Sequence, residues 1–268
     1  EVGFWNVDDR ALYPVAAVTG SREGADYKAL TDEQDAVAWA PSYYNGMYFD
    51  EIYHPRTAYE LLHGPSVSKQ PNATDGNWLL EWSHPHLGKL LIMVGIRLFG
   101  MTPFGWRFMG ALTGVLMLPL MFLIAKQLTK DSRLSFVAMF LLAVDSMHFT
   151  QTRLATVDSY AVFFIMLMYL FMYGFITTGS RRELALSGIF FGIGAASKWT
   201  CIYAGAGLAV IWLIYVIREA KAQRLDMRGF WKLCGFCVIF FVLIPCLIYY
   251  FAYIPYGTAR GISPFSAE

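Results

Sequence analysis

The chain has 268 residues, of which 56% are hydrophobic, 17% aromatic and only 15% charged, against about 25% charged in soluble domains. A formal net charge of +1 conceals an acidic first hundred residues, net −6, and a remainder of net +7. The bases fall between apolar runs rather than along one stripe, which excludes a nucleic-acid binder, a disordered chain and a small disulfide scaffold and points to a membrane protein.

Residues 1–46 are polar. VGFWNV, the Asp8-Asp9 pair and RALYPVAAV read as strand, turn and strand, a short β-hairpin remnant, and residues 20–46 as linker and loop ending at Asn45-Gly46. Glu1 opens the chain with neither a Met nor a signal peptide. The expectation is therefore a fragment whose upstream part supplies a first spanning helix and most of a β-domain. Asn72-Ala73-Thr74 matches the glycosylation sequon, a three-residue pattern that carries no weight by itself.

Residues 47–105 hold the candidate chemistry. MYFDEIYHPRTAYELLHG sets Asp50 beside Glu51 after an aromatic pair, and EWSHPHLGKLLIMVGIRLFGMTPFGWRF follows from residue 81. Alone, an adjacent Asp-Glu is a solvated helix start favoured by the macrodipole. Here the pair shares one loop with His54, His84, His86, Lys89 and Arg107.

Charge-free stretches then measure the spans: 108–125, 159–180, 199–217 and 233–259. Each has the 18 or more residues needed to cross about 30 Å of hydrocarbon. Two shorter runs, 134–149 and 184–197, complete the connections, the second with Gly188, Gly192 and Gly194 for close packing. Six spans are expected, near 106–125, 134–150, 157–178, 184–197, 199–217 and 233–254, in a helical domain covering 106–268. Cys234 and Cys237 form a C-x-x-C inside the last span without nearby His, and read as packing residues.

Alternate turns hold ten bases (Lys126, Lys130, Arg133; Arg181, Arg182; Arg218, Lys221, Arg224, Arg228, Lys232) against Arg153, Lys198 and Arg260 on the other side. The positive-inside rule puts the first set in the cytoplasm and the loop 47–105 outside a cell membrane. Arg153 and Lys198, each at a helix lip, read blandly as snorkelling cations and more sharply as markers of a path for an anionic substrate. Arg107 begins the first span on that same face. A carboxylate that deprotonates a hydroxyl, with cations that hold a lipid-borne phosphate as it leaves, fits this boundary.

YFDEIYH, HPHLGK, the FGWRFMGALTGVLMLPL span, QTRLATVDSY (151–160) and ASKWT (196–200) together resemble the protein O-mannosyltransferases. These are polyprenyl-phosphate-mannose-dependent members of the GT-C superfamily, here in a bacterial version. The resemblance covers roughly 47–217. It departs from the family at His86, where the family has proline, and in about a dozen residues (68–79) that stand inserted.

The resemblance implies an all-α, GT-C-like polytopic membrane protein with a large extracytoplasmic first loop. It implies transfer of mannose from a polyprenyl phosphate to Ser or Thr hydroxyls of a secreted acceptor protein, with inversion. Asp50 is the expected general base and Glu51 positions the acceptor, while Arg107, Arg153 and Lys198 bind the donor phosphate. His54, His84, Lys89, Asp158 and Trp199 are expected to position substrate. No metal or other cofactor is expected, the lipid-linked sugar being a substrate. Two other readings stand beside this one: a GT-C transferase moving an aminosugar or pentose onto a glycolipid, and a transporter or flippase, which calls for inverted repeats with helices broken at the midplane.

Overall fold

The computed structural model describes residues 4–6, 11–13, 46–63, 81, 83–259 and 261–262. The chain divides into two compact units, Glu1–Met47 and Tyr48–Glu268. In the first, β1 (Phe4–Asn6) pairs antiparallel with β2 (Ala11–Tyr13), in the register Phe4↔Tyr13, Trp5↔Leu12 and Asn6↔Ala11. The glycosylation sequon and the insertion at 68–79 lie outside the described residues.

The second unit is helical. A 3₁₀ turn at Phe49–Ile52 leads into α1 (His54–His63), and α2 (Leu87–Phe99) follows. Next come α3 (Pro103–Thr129), α4 (Ser132–Ala143), α5 (Ser146–Thr152), α6 (Asp158–Thr178), α7 (Arg181–Ser197) and α8 (Thr200–Lys221). The last are α9 (Met227–Val238), a π turn at Ile239–Leu243, and α10 (Ile244–Ala259). From Tyr48 on, the described part of the outer loop belongs to the same unit as the long helices, because α1 and α2 pack on α3, α7 and α10.

Local chemistry sets these boundaries. Thr102 caps α3 by accepting from the Gly105 N–H at 3.1 Å, with Pro103 in the first turn, where a missing N–H costs nothing. Asp131, Asp145 and Asp226 cap α4, α5 and α9 in the same way. Gly179 closes α6 in the left-handed region, φ 71°. The π turn ends two residues before Pro245, which has no N–H to continue the α ladder.

Four helical stretches are long and apolar enough to cross a membrane: Pro103–Thr129, Asp158–Thr178, Thr200–Lys221 and Met227–Ala259. The run expected as one span over 134–150 is instead broken. α4 and α5 meet at a 60° bend, so the pair counts as one further crossing at most. The run expected over 184–197 is α7, whose 17 residues reach about 25 Å. That is short of the ~30 Å core, so length and composition by themselves support four or five crossings.

α7 sits at the centre of the unit, against α2, α6, α8 and α10. Its small residues make this possible. A Cβ at Gly188 would lie 2.5 Å from the Phe240 carbonyl oxygen, and one at Gly192 2.9 Å from Pro245 Cα. The apolar core of α6, α8 and α9 beside it is built on Met168, Met172, Phe175, Leu208 and Leu233.

Candidate functional site

The start of α3, the α5–α6 link, the α7–α8 link and the end of α10 meet at one end of the bundle, where the outer loop also packs. The polar chemistry is gathered there. Phe49 takes φ +57°, a backbone region that an aromatic residue rarely adopts. The turn built on it separates Asp50 from Glu51. Asp50 is half-buried and its carboxylate has no hydrogen-bond or ion-pair partner among the described residues, whereas Glu51 is fully buried.

Glu51 accepts four hydrogen bonds. Arg107 donates from Nε to Oε1 at 2.8 Å and from a terminal nitrogen to Oε2 at 2.7 Å. The Ala155 N–H donates to Oε1 at 2.9 Å, and the Tyr48 N–H to Oε2 at 3.0 Å. Burial alone would raise the Glu51 pKa, but the bonds from Arg107, Ala155 and Tyr48 and the guanidinium charge outweigh it and hold the carboxyl below its ordinary range. The forked pair thus ties the 3₁₀ turn to α3, and the Ala155 N–H ties it to the α5–α6 link. Glu51, expected to position the acceptor, is thus buried, and two nitrogens of Arg107, expected on the donor phosphate, are directed at it.

A second cluster, around Glu81, went unread in the sequence. Lys89, fully buried, pairs its Nζ with the Glu81 carboxylate and donates to the Glu81 and His84 carbonyls at 2.7 and 3.2 Å. The Glu81 N–H donates to Thr57 Oγ1 at 3.1 Å, and His54 Nδ1 lies 3.6 Å from Glu81 Oε2. Burial would raise Glu81, yet His54, Lys89 and Ser83 together hold it well below the usual carboxylate range. Burial also lowers Lys89, against the pull of Glu81. Lys89 and His54, expected to position substrate, are both buried within this cluster. The available signal was an acid eight residues before Lys89, directly ahead of the H-P-H-L-G-K stretch.

Lys198 and Asp158 form a third pair at 2.5 Å, 19% and 45% exposed. His84 is near enough that its pKa is lowered, first by burial and then by the Lys198 charge. Trp199 stands half-exposed beside the pair and donates from Nε1 to the Tyr249 hydroxyl at 3.1 Å. His86 is fully buried, stacked on Tyr256 at 4.0 Å with Tyr253 edge-on at 4.6 Å. Burial, with the Lys89 charge behind it, lowers its pKa to about 3, so the ring is neutral.

Arg153 is exposed at the end of α5, its guanidinium 5.7 Å from the Phe149 ring, with no carboxylate partner among the described residues. It borders an apolar cavity of about 210 Å³ that reaches Gly114, Leu118 and Ala143. Among the described residues, no group of three or more His, Cys, Asp or Glu is arranged to hold a metal ion.

Fold and site define a multi-pass membrane protein that gathers at one end of its bundle several cations and a carboxylate with no partner among the described residues. More than half of the chain, residues 97–256, matches the model of the family described as dolichyl-phosphate-mannose-protein mannosyltransferase, and the chain belongs to that family. It is similar to the polyprenol-phosphate-mannose–protein mannosyltransferase of Mycolicibacterium smegmatis, 27% identical over 81% of this chain and 48% of the relative. The protein of the same name from Mycobacterium tuberculosis is 34% identical over 44% of this chain and 21% of its own. That from Corynebacterium glutamicum is 29% identical over 62% and 37%. The chain thus spans about half the length of the relatives it matches, and the family match begins downstream of Asp50, Glu51 and Lys89.

Proposed function

We propose that this chain carries the reaction centre of an enzyme that moves mannose from a polyprenyl phosphate to Ser or Thr hydroxyls of secreted proteins. The carrying observation is the contrast within the acidic pair. Glu51 is consumed by four hydrogen bonds, while Asp50, one residue away, presents a carboxylate with no partner among the described residues.

In this reading Asp50 takes the proton of the acceptor hydroxyl as its oxygen attacks the anomeric carbon. The bond from that carbon to the phosphate oxygen breaks on the opposite face, with inversion through an oxocarbenium-like transition state. Arg153 meets the departing phosphate, and Lys198 exchanges its half-exposed partner Asp158 for it, each stabilising the developing charge. Arg107 acts mainly by holding Glu51, and so the turn that aims Asp50. A carboxylate base and these cations supply the step without a metal. α7 and the bent α4–α5 pair complete six crossings, with the ten-base turns cytoplasmic and the site on the outer face of the cell membrane.

The test is transfer from synthetic polyprenyl-phosphate mannose to a Ser/Thr peptide by the intact protein, with the configuration of the product read by NMR. Transfer with inversion is expected. Transfer to a glycolipid but not to the peptide would move the assignment to another branch of the superfamily.

A further inference from the structure

Tyr249, Tyr253 and Tyr256 recur at i, i+4 and i+7 along α10, so they share one helix face. That face is organised by hydrogen bonds. The Trp199 Nε1–H donates to the Tyr249 hydroxyl at 3.1 Å, and the Tyr249 and Tyr253 hydroxyls lie 3.1 Å apart, their rings stacked at 4.9 Å. Tyr253 and Tyr256 flank the buried His86 ring, which wedges α10 against the outer loop. Tyr250, on the next face, points outward at 46% exposure.

Trp and Tyr gather at membrane interfaces in any case, with their polar ends toward headgroups. The Trp199–Tyr249–Tyr253 line differs, because its polar ends are turned on one another and its inner end is keyed into the loop. Its outer end, Trp199, is 51% exposed and follows Lys198, whose Nζ is held by Asp158. A cation, an apolar ring face and a row of hydroxyls in succession match a phosphate bonded to a hexose. The sugar's C–H face stacks on an aromatic ring, its hydroxyls exchange hydrogen bonds with Tyr and Trp, and the phosphate reaches the amine.

We propose that Trp199, Tyr249 and Tyr253 form the wall that binds the hexose of the lipid-linked donor, with His86 as the residue that positions Tyr253. This rests on the transferase reading above and adds the residues that recognise the sugar rather than the phosphate.

The experiment compares equilibrium binding of polyprenyl-phosphate mannose and of bare polyprenyl phosphate to the intact protein in nanodiscs. Trp199→Ala and Tyr249→Phe are expected to weaken the mannosylated lipid about 3- to 10-fold, the scale of one aromatic or hydroxyl contact, and to leave bare lipid unchanged. Trp199→Phe, which keeps a ring, is expected to recover part of the loss and guards against misfolding of the alanine variant. Equal weakening of both lipids, or no change in either, overturns the wall while peptide mannosylation by wild type still stands. A wild-type protein that mannosylates no peptide overturns the transferase reading, and the wall with it.

Discussion

Arg107→Met isolates the clamp on Glu51. It keeps a long side chain at the start of α3 and removes both bonds to the carboxylate, 2.8 and 2.7 Å. Among the described residues, the stranded Glu51, fully buried, retains the Ala155 and Tyr48 N–H groups. Removing one partner of a buried pair costs about 3–5 kcal/mol. With two donors left and Arg107 itself 16% exposed, the lower end applies: about 3 kcal/mol, or roughly a hundredfold in the folded-to-unfolded ratio. For a chain of this size that is a fall of about 6–12 °C in Tm. Arg107→Lys keeps the charge without the fork and is expected to fall between. Combining Arg107→Met with Glu51→Leu removes the stranded charge, so the double variant should recover at least ~1 kcal/mol relative to the sum of the singles. The assay is thermal unfolding of detergent-solubilised protein followed by tryptophan fluorescence. An Arg107→Met protein with wild-type Tm and a collapsed transfer rate would refute the clamp and place Arg107 on the donor instead.

Three further outcomes follow from the same geometry. His86→Phe should be neutral or stabilising by up to about 1 kcal/mol in Tm measurements, because neither ring nitrogen of the buried imidazole has a hydrogen-bond partner among the described residues and Phe keeps the stack on Tyr256. Gly188→Ala should destabilise by about 1–3 kcal/mol, its Cβ meeting the Phe240 carbonyl, while Gly235→Ala, with nothing within 4 Å, should stabilise by about 0.5–1 kcal/mol. As for pH, Glu51 and Glu81 are held below the ordinary value of 4.5, so their stabilisation is complete above that value and drains away as pH falls toward their folded pKa values. A Tm that stays level from pH 6 to pH 3 would contradict both clusters.

The charge-free runs foretold the long helices well, since a single charge marks each end: Arg107 and Lys126 bracket most of α3, and Asp158 and Arg181 enclose α6. The break between α4 and α5 was harder to read, because its only local mark is Asp145, whose meaning as a cap depends on the chain turning there. The acidic pair was legible as a site, but not its division of labour. That division comes from a left-handed Phe49, which no propensity favours, and from Arg107 and the Ala155 N–H, 56 and 104 positions away from Glu51. Glu81 stayed hidden for the same reason, its partners Thr57 and Lys89 coming from two different helices. The Tyr249–Tyr253–Tyr256 spacing was open to reading, yet without His86 and Trp199 packed against it, it is indistinguishable from an interfacial belt.

The most direct measurement is the single-turnover rate of mannose transfer by Asp50→Asn beside Glu51→Gln in the intact protein, with Tm and donor affinity recorded for each. Asp50→Asn keeps shape and removes basicity, so turnover is expected to drop roughly 10²–10⁴-fold, with donor binding and Tm at wild-type values. Glu51→Gln, which loses part of the Arg107 fork, is expected to lose Tm along with activity. Near wild-type transfer by Asp50→Asn would contradict its role as the base and reduce the acidic pair to a structural turn.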